Sequence, residues 1–186
     1  RIYFRSAFRT DTIRGITARK LNIDEIQDVL TDSLYVIEET QAHYDPYRVY
    51  SGTPKTWNNT LGRLLRKSDR REWAIKCNHC NKYNITGMAN IGKKGLICAK
   101  CKKYLNPLNG KWVKTQNKNL LRSFRIPQII TPWVLSSELK WNEVLNKLER
   151  YTIAQFYNEV LALPYSESDC PVTEEILRSC CDEVYT

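Results

Sequence analysis

Four cysteines fall in two pairs, Cys77-Asn-His-Cys80 and Cys98-Ala-Lys-Cys101, with seventeen residues between the pairs. A Cys-x-x-Cys turn presents two thiolates to one ion, and two such turns complete the tetrahedral sulfur set of a structural zinc site. The seventeen intervening residues suffice for a small β-hairpin that brings the turns together, the arrangement of a zinc ribbon. Four unrelated reduced thiols are the alternative, but two paired units at metal spacing rarely arise by chance. His79 lies inside the first turn; with four sulfurs completing the shell, it is expected at the surface or outside the ligand set. A second group with chemical capacity is Asp24-Glu25, with Gln27 and Asp28 just beyond. Carboxylates placed where a strand gives way to a loop hold Mg²⁺ and activate a water in many nucleotide hydrolases. Acids at a helix start are also common for dipole reasons, so this pair alone is not specific.

These groups need elements to position them. Ile2-Tyr3-Phe4 opens a strand-like run, and a second strand-like segment over residues 16–23 leads into the acids. From 30 to 44, Leu30, Leu34, Ile37 and Ala42 recur at roughly helical spacing, with Glu38 and Glu39 expected on the solvent side. Pro46 ends that pattern, residues 47–50 are β-prone, and Ser51-Gly52-Thr53-Pro54 forms a tight turn. Strand, acids, helix, strand and turn in that order predict a parallel α/β sheet with both special stretches on one edge. A helix is expected over 59–67, with Leu61, Leu64 and Leu65 on one side. Beyond the cysteines come a turn at 106–110 and an apolar segment at 124–134 broken by Pro127 and Pro132. Two amphipathic helices follow, with stripes Trp141, Val144, Leu145, Leu148 and then Ile153, Phe156, Tyr157, Val160, Leu161. Thr152 and Gln155 read as a capping box. The stripes are most simply core. There is no internal repeat and no low-complexity tract.

The chain of 186 residues, 42% of them hydrophobic, is long enough for one domain or two small ones. No run approaches the roughly twenty apolar residues of a membrane span, and the start does not resemble a signal peptide. The chain opens at Arg1 without a Met and is expected to be a piece of a longer protein. Seven cysteines, four at metal spacing and Cys170, Cys180 and Cys181 near the end, fit a reducing compartment better than a disulfide framework. The formal net charge of +9 hides an asymmetry: residues 63–122 hold sixteen Lys or Arg and two acids, Asp69 and Glu72, leaving −5 for the remainder. Four thiolates around Zn²⁺ add about −2, so the surplus survives metal binding. A basic ribbon with Tyr83, Tyr104 and Trp112 interleaved suits a polyanion, with contacts to backbone phosphates since no base-reading motif is present. A solvated basic face that keeps the chain soluble is the other reading of the same composition.

Taken together in order, several stretches resemble the large subunit of phage terminases, the ATP-driven motors that package viral DNA. They are Phe4-Arg5-Ser6-Ala7, Ile13-Arg14-Gly15, Ile23-Asp24-Glu25, Ser51-Gly52-Thr53-Pro54, Ser68-Asp69-Arg70-Arg71 leading into Cys77-x-x-Cys80, Pro132-Trp133, and Phe156-Tyr157-Asn158-Glu159-Val160-Leu161 before Pro164-Tyr165. The resemblance covers nearly the whole chain, and the order is more specific than any single stretch. It implies that Asp24 is the Walker B acid and Glu25 the catalytic glutamate, and that Ser51, Gly52 and Thr53 form the motif coupling the γ-phosphate site to DNA movement.

The fold so implied is α/β: a partial P-loop-type parallel sheet with an inserted four-cysteine zinc ribbon and a C-terminal helical segment. Residues 1–68 would be the C-terminal half of the ATPase core, 69–122 the zinc-ribbon insertion, and 123–186 a strand return, a helical subdomain and a linker towards a nuclease domain. Zn²⁺ would be structural, with Mg²⁺ and ATP serving the parent protein. The partners would be double-stranded DNA, a portal protein, the small terminase subunit and other copies in a ring, in the host cytoplasm. Lys93, Lys94, Lys102 and Lys103 are the candidate DNA contacts. The sequence contains no match to G-x-x-x-x-G-K-[ST], so this chain alone is not expected to hydrolyse ATP. Two other classes remain open at this point: a fragment of another nucleic-acid-dependent ATPase or helicase, and a non-enzymatic zinc-ribbon module.

Overall fold

A computed structural model describes residues 1–7 and 9–166. Cys170, Cys180 and Cys181 lie outside the described residues. The first unit is built on strand β1 (Lys20–Ile23), helix α1 (Thr31–Glu38) and strand β2 (Tyr47–Tyr50), with β1 and β2 parallel in the register Lys20↔Tyr47 to Ile23↔Tyr50. This is the strand, helix, strand alternation read from the sequence. The sheet has two strands among the described residues, so it is a small mixed α/β unit. Gln41 fixes the start of the pairing: its buried side chain donates to the carbonyls of Arg19 (3.0 Å) and Tyr47 (3.1 Å) and accepts from Arg48 Nε (2.9 Å). Ile23, Ile26, Leu34 and Ile37 form the core, joined by Leu61 and Leu64 of helix α2 (Thr60–Arg66). Asn59 caps α2 by accepting from the Gly62 amide at 2.7 Å.

Several local expectations are corrected. Residues 2–4 form no strand; Ile2 and Phe4 are exposed, because among the described residues no strand lies beside them. The strand expected over 16–23 is regular only at 20–23, where β2 supplies partners. Leu30 and Ala42 are exposed, outside the buried stripe of Leu34 and Ile37. Glu38 does not face solvent alone: it pairs with Arg48 (2.9 Å) and accepts the Tyr50 hydroxyl. Burial, with the Glu38 carboxylate next, pushes that phenol well above its usual range.

The second unit is a three-stranded antiparallel sheet in the order β4 (Tyr83–Ile85), β3 (Arg71–Lys76), β7 (Gly110–Lys114), with a short hairpin β5 (Ile91–Gly92) and β6 (Gly95–Leu96). The expected turn at 106–110 brings the Pro107 carbonyl onto Trp73 Nε1 (2.8 Å). A side chain at Gly110 would place its Cβ 2.2 Å from that indole nitrogen, so glycine is required there. Trp73, Trp112 and Phe124 then stack edge to face, with centroids 5.0–5.2 Å apart.

Helix α3 (Pro132–Leu135) begins with Pro132 in its first turn, where a missing amide costs nothing. Helix α4 (Glu138–Arg150) is capped by Ser137 and buries Trp141 and Val144, while Leu148 stays partly exposed. Thr152 and Gln155 form the expected capping box at α5 (Ile153–Gln155), which runs into a wide π-type turn, Phe156–Val160. A single apolar cluster joins Ile75, Cys77, Leu96 and Cys98 of the ribbon to Val134, Trp141, Phe156, Val160 and Leu161. The core therefore runs across the boundary expected between residues 122 and 123.

Arg125 fastens this junction. It donates through Nε to both Glu72 oxygens (2.7 and 3.0 Å), and through its other nitrogens to the carbonyls of Leu161 (2.6 Å) and Thr86 (2.8 Å). Trp141 adds a second tie, its indole donating to the Gly92 carbonyl at 2.8 Å.

Candidate metal centre and acidic strand edge

The two cysteine turns have the same construction. The Cys77 amide donates to the Lys82 carbonyl (2.9 Å) and the Asn81 amide returns to the Cys77 carbonyl (2.9 Å). In the second turn, the Cys98 amide donates to Lys103 (2.8 Å) and the Lys102 amide returns to Cys98 (3.0 Å). Asn81 (φ 58°) and Lys102 (φ 60°) both take the left-handed conformation that lets each turn close tightly. The backbone amides of His79 and Cys80 point at the Cys77 sulfur, and those of Lys100 and Cys101 at the Cys98 sulfur.

The four sulfurs lie within 4.8 Å of one another. Cys77 to Cys101 and Cys80 to Cys98 are each 3.6 Å apart, far beyond a disulfide bond. Four sulfurs at about 2.3 Å from a tetrahedral zinc ion would stand about 3.8 Å from one another, close to the two 3.6 Å separations. Four sulfurs this close cannot all ionise without a cation among them. Burial opposes ionisation of Cys98, but the amides of Cys101 and Lys100 outweigh it and bring the thiol down to about 6. The Cys80 amide, with that of His79, lowers Cys77 against the effect of its burial. Cys80 receives a lowering hydrogen bond from Lys82, yet burial and the neighbouring sulfurs push it up to about 11. The cluster can hold one metal ion, to which each cysteine offers one sulfur. His79 is exposed and outside the ligand set.

The acidic pair and the Ser-Gly-Thr turn meet at the carboxyl ends of β1 and β2. The Ser51 amide donates to the Ile23 carbonyl (2.9 Å), the Ile26 amide to the Ser51 carbonyl (3.0 Å), and Ser51 Oγ to Asp24 Oδ1 (2.7 Å). Glu25 takes a left-handed conformation, φ 51°, which turns the chain away from the strand. Gln27, which in the sequence stands only as a neighbour of the acids, joins the two stretches. Only 6% exposed, it donates to Glu25 and Asp28 while its carbonyl accepts the Thr53 amide (3.1 Å). A side chain at Gly52 would put its Cβ 2.1 Å from that carbonyl oxygen, so the glycine admits Gln27. Beside them opens a cleft of about 590 Å³ lined by Ser6, Asp24, Glu25, Asp28 and Ser33. Lys55 pairs with Asp28 at 2.6 Å on its rim.

No family model, curated protein or solved structure matches this chain. Among the described residues no helix is long and apolar enough to cross a membrane.

The ribbon surface is more uniformly basic than its composition shows. Asp69 and Glu72, the two acids of residues 63–122, are both turned inward: Asp69 pairs with Arg71 (2.8 Å) and accepts the Ser123 amide (3.1 Å), and Glu72 pairs with Arg125. Burial pushes the Asp69 carboxyl up, but those two donors outweigh it and hold it below the usual carboxylate range. Burial is the larger effect at Glu72 and leaves that carboxyl raised despite Arg125. Of the sixteen basic residues in the stretch, all but Arg70 and Arg71 are exposed. Lys93 and Lys94 form the tip of the β5–β6 hairpin, and Lys102 and Lys103 flank the second cysteine turn; all four are exposed. Tyr83, Tyr104 and Trp112 are exposed among them, and Lys111 lies over the Tyr83 ring at 5.1 Å. The hairpin reads Gly87-x-x-x-x-Gly92-Lys93, with Lys94 where a phosphate loop needs Ser or Thr, and no helix follows it. It is a ribbon turn.

Proposed function

We propose that this chain is part of a terminase-type DNA-packaging motor, contributing the acidic pair and coupling loop of the nucleotide site together with a zinc ribbon that grips double-stranded DNA. The observation that carries the reading is the contact between Asp24 and Ser51, 27 residues apart in sequence, reinforced by Gln27 on Thr53. The sequence resemblance assigns these same two stretches to the catalytic acids and the coupling motif. In that reading Asp24 belongs to the Mg²⁺ shell, and Glu25 orients and deprotonates the attacking water. Gln27 gives a physical route from the glutamate to the coupling loop: a shift of Glu25 pulls on the amide of Thr53. The cations and lysine that hold phosphates come from outside this chain, so positioning and charge neutralisation are incomplete in it.

In the motor containing this segment, Glu25→Gln is expected to retain Mg-ATP binding and nearly abolish turnover. Asp24→Asn should weaken metal-dependent binding and turnover together, and Thr53→Val should spare nucleotide binding while uncoupling hydrolysis from DNA movement. Normal ATP hydrolysis by Glu25→Gln would overturn the assignment of the acids.

The inward-facing acids favour a second component of the reading that also stands without hydrolysis, namely a nucleic-acid-binding ribbon. Contacts to phosphates release counterions, so affinity for duplex DNA should fall steeply between low and physiological salt, without sequence preference. Reversing the charge of Lys93, Lys94, Lys102 and Lys103 together should reduce both the affinity and its salt slope. Salt-insensitive binding, or none at low ionic strength, would reassign the basic surface to protein contacts or solubility.

A further inference from the structure

We propose that Asn84 is a positioning residue of the metal centre, locking the two cysteine turns in register and drawing charge off the Cys98 sulfur. The inference rests on the reading of the four cysteines as a metal site. Asn84 lies on β4 opposite Ile75, 3% exposed. Its amide nitrogen is 3.6 Å from Cys98 Sγ and donates to the Lys82 carbonyl at 3.1 Å. That carbonyl is the one that closes the first turn by accepting the Cys77 amide. On its other side, Asn84 Oδ1 accepts the Ala99 amide inside the second turn (2.9 Å) and Asn90 Nδ2 (3.2 Å). Asn90 is itself buried and donates to the Ile97 carbonyl at 2.9 Å. One neutral side chain therefore touches both turns and one ligand sulfur.

The chemistry requires an amide. A buried metal bound by four thiolates carries a net negative charge, and N–H donors aimed at sulfur disperse it while fixing the ligand's direction. An amide donates to sulfur and accepts from Ala99 at once. Aspartate has the same shape but offers no donor and adds a negative charge, and leucine offers neither group. Groups in this role change metal affinity by about ten- to a hundredfold when removed.

The test uses the whole chain loaded with Co²⁺, whose sulfur-to-metal charge-transfer band reports thiolate electron density, and zinc affinity by chelator competition. Asn84→Asp should weaken zinc binding by about ten- to a hundredfold and move the charge-transfer band to lower energy. Asn84→Ser, small enough to admit a water, guards against a variant that does not fold and should show the same two changes to a smaller degree. Unchanged affinity in both variants, or weaker affinity with an unmoved band, would overturn the proposal and leave the metal site standing. A wild-type chain that takes up no cobalt would overturn the metal reading and this proposal with it.

Discussion

Replacing Arg125 by Met should destabilise the fold by about 3 kcal/mol, most of it through the carboxylate left behind. The Arg125 and Glu72 side chains are 11% and 15% exposed, so their pair is nearly out of water. Removing one partner of a buried pair costs about 3–5 kcal/mol, because the remaining charge is uncompensated. The residual exposure places this case at the lower end. Two carbonyls, of Leu161 and Thr86, also lose their donor. Three kcal/mol is roughly a hundredfold in the folding constant, and for a chain of this size a fall in Tm of about 6–12 °C. The double variant Glu72→Met/Arg125→Met removes both charges and should recover about 2 kcal/mol of the loss.

The pH dependence has a definite sign. Glu72 is already raised by burial against the pull of Arg125, and without Arg125 it rises further. A carboxyl raised in the folded state favours folding when protonated, so Arg125→Met should regain stability as pH falls from neutral and lose it again as pH rises through the folded pKa. Urea unfolding at pH 5 and pH 7, with equal metal content in every protein, measures all four corners of the cycle. A single-variant cost below about 1 kcal/mol, or a double variant no better than the single, would refute the reasoning.

Purified protein should contain one zinc per chain by elemental analysis, and chelation should reduce the helical circular dichroism signal as well as ribbon structure, because the ligands share a core with α4; a chelated chain with full helicity would contradict this. Gly52→Ala should cost about 1–2 kcal/mol and strip hydrogen-exchange protection from the Thr53 amide, since Gln27 must withdraw; retained protection would show that Gln27 is not held as described. Trp141→Phe should lower stability by about 2 kcal/mol in denaturant unfolding, having lost the bond to Gly92 and some packing volume; a change below about 0.5 kcal/mol would place the indole outside the junction.

The parts of the molecule legible in the sequence are those whose information is local. Cys77, Cys80, Cys98 and Cys101 announce the cage through spacing alone, and Thr152 with Gln155 announces a helix start. The meeting of Asp24 with Ser51 was also legible, because a strand, helix, strand order forces the two carboxyl ends together. What the sequence concealed are polar residues whose meaning comes from distant partners. Arg125 and Glu72 are 53 residues apart, and nothing near either marks it as buried. Asn84 and Gln27 look like ordinary surface amides until the backbone folds their donors and acceptors into place. Apolar stripes such as Trp141 with Val144 declare burial, but not that the cover would be a cysteine cage. Leu30 and Ala42 fit a helical period and still lie exposed, since periodicity cannot say where a neighbour ends.

The common core of ribbon and helices bears on how such a segment could be exchanged between proteins. A finger with its own hydrophobic centre can be cut out and transplanted at its two entry strands. Here a graft ending at residue 122 would leave Ile75 and Leu96 facing water, and a deletion of the ribbon would strip Trp141 and Phe156 of their cover. The smallest piece that carries its own cover is therefore the ribbon together with the stretch through Leu161.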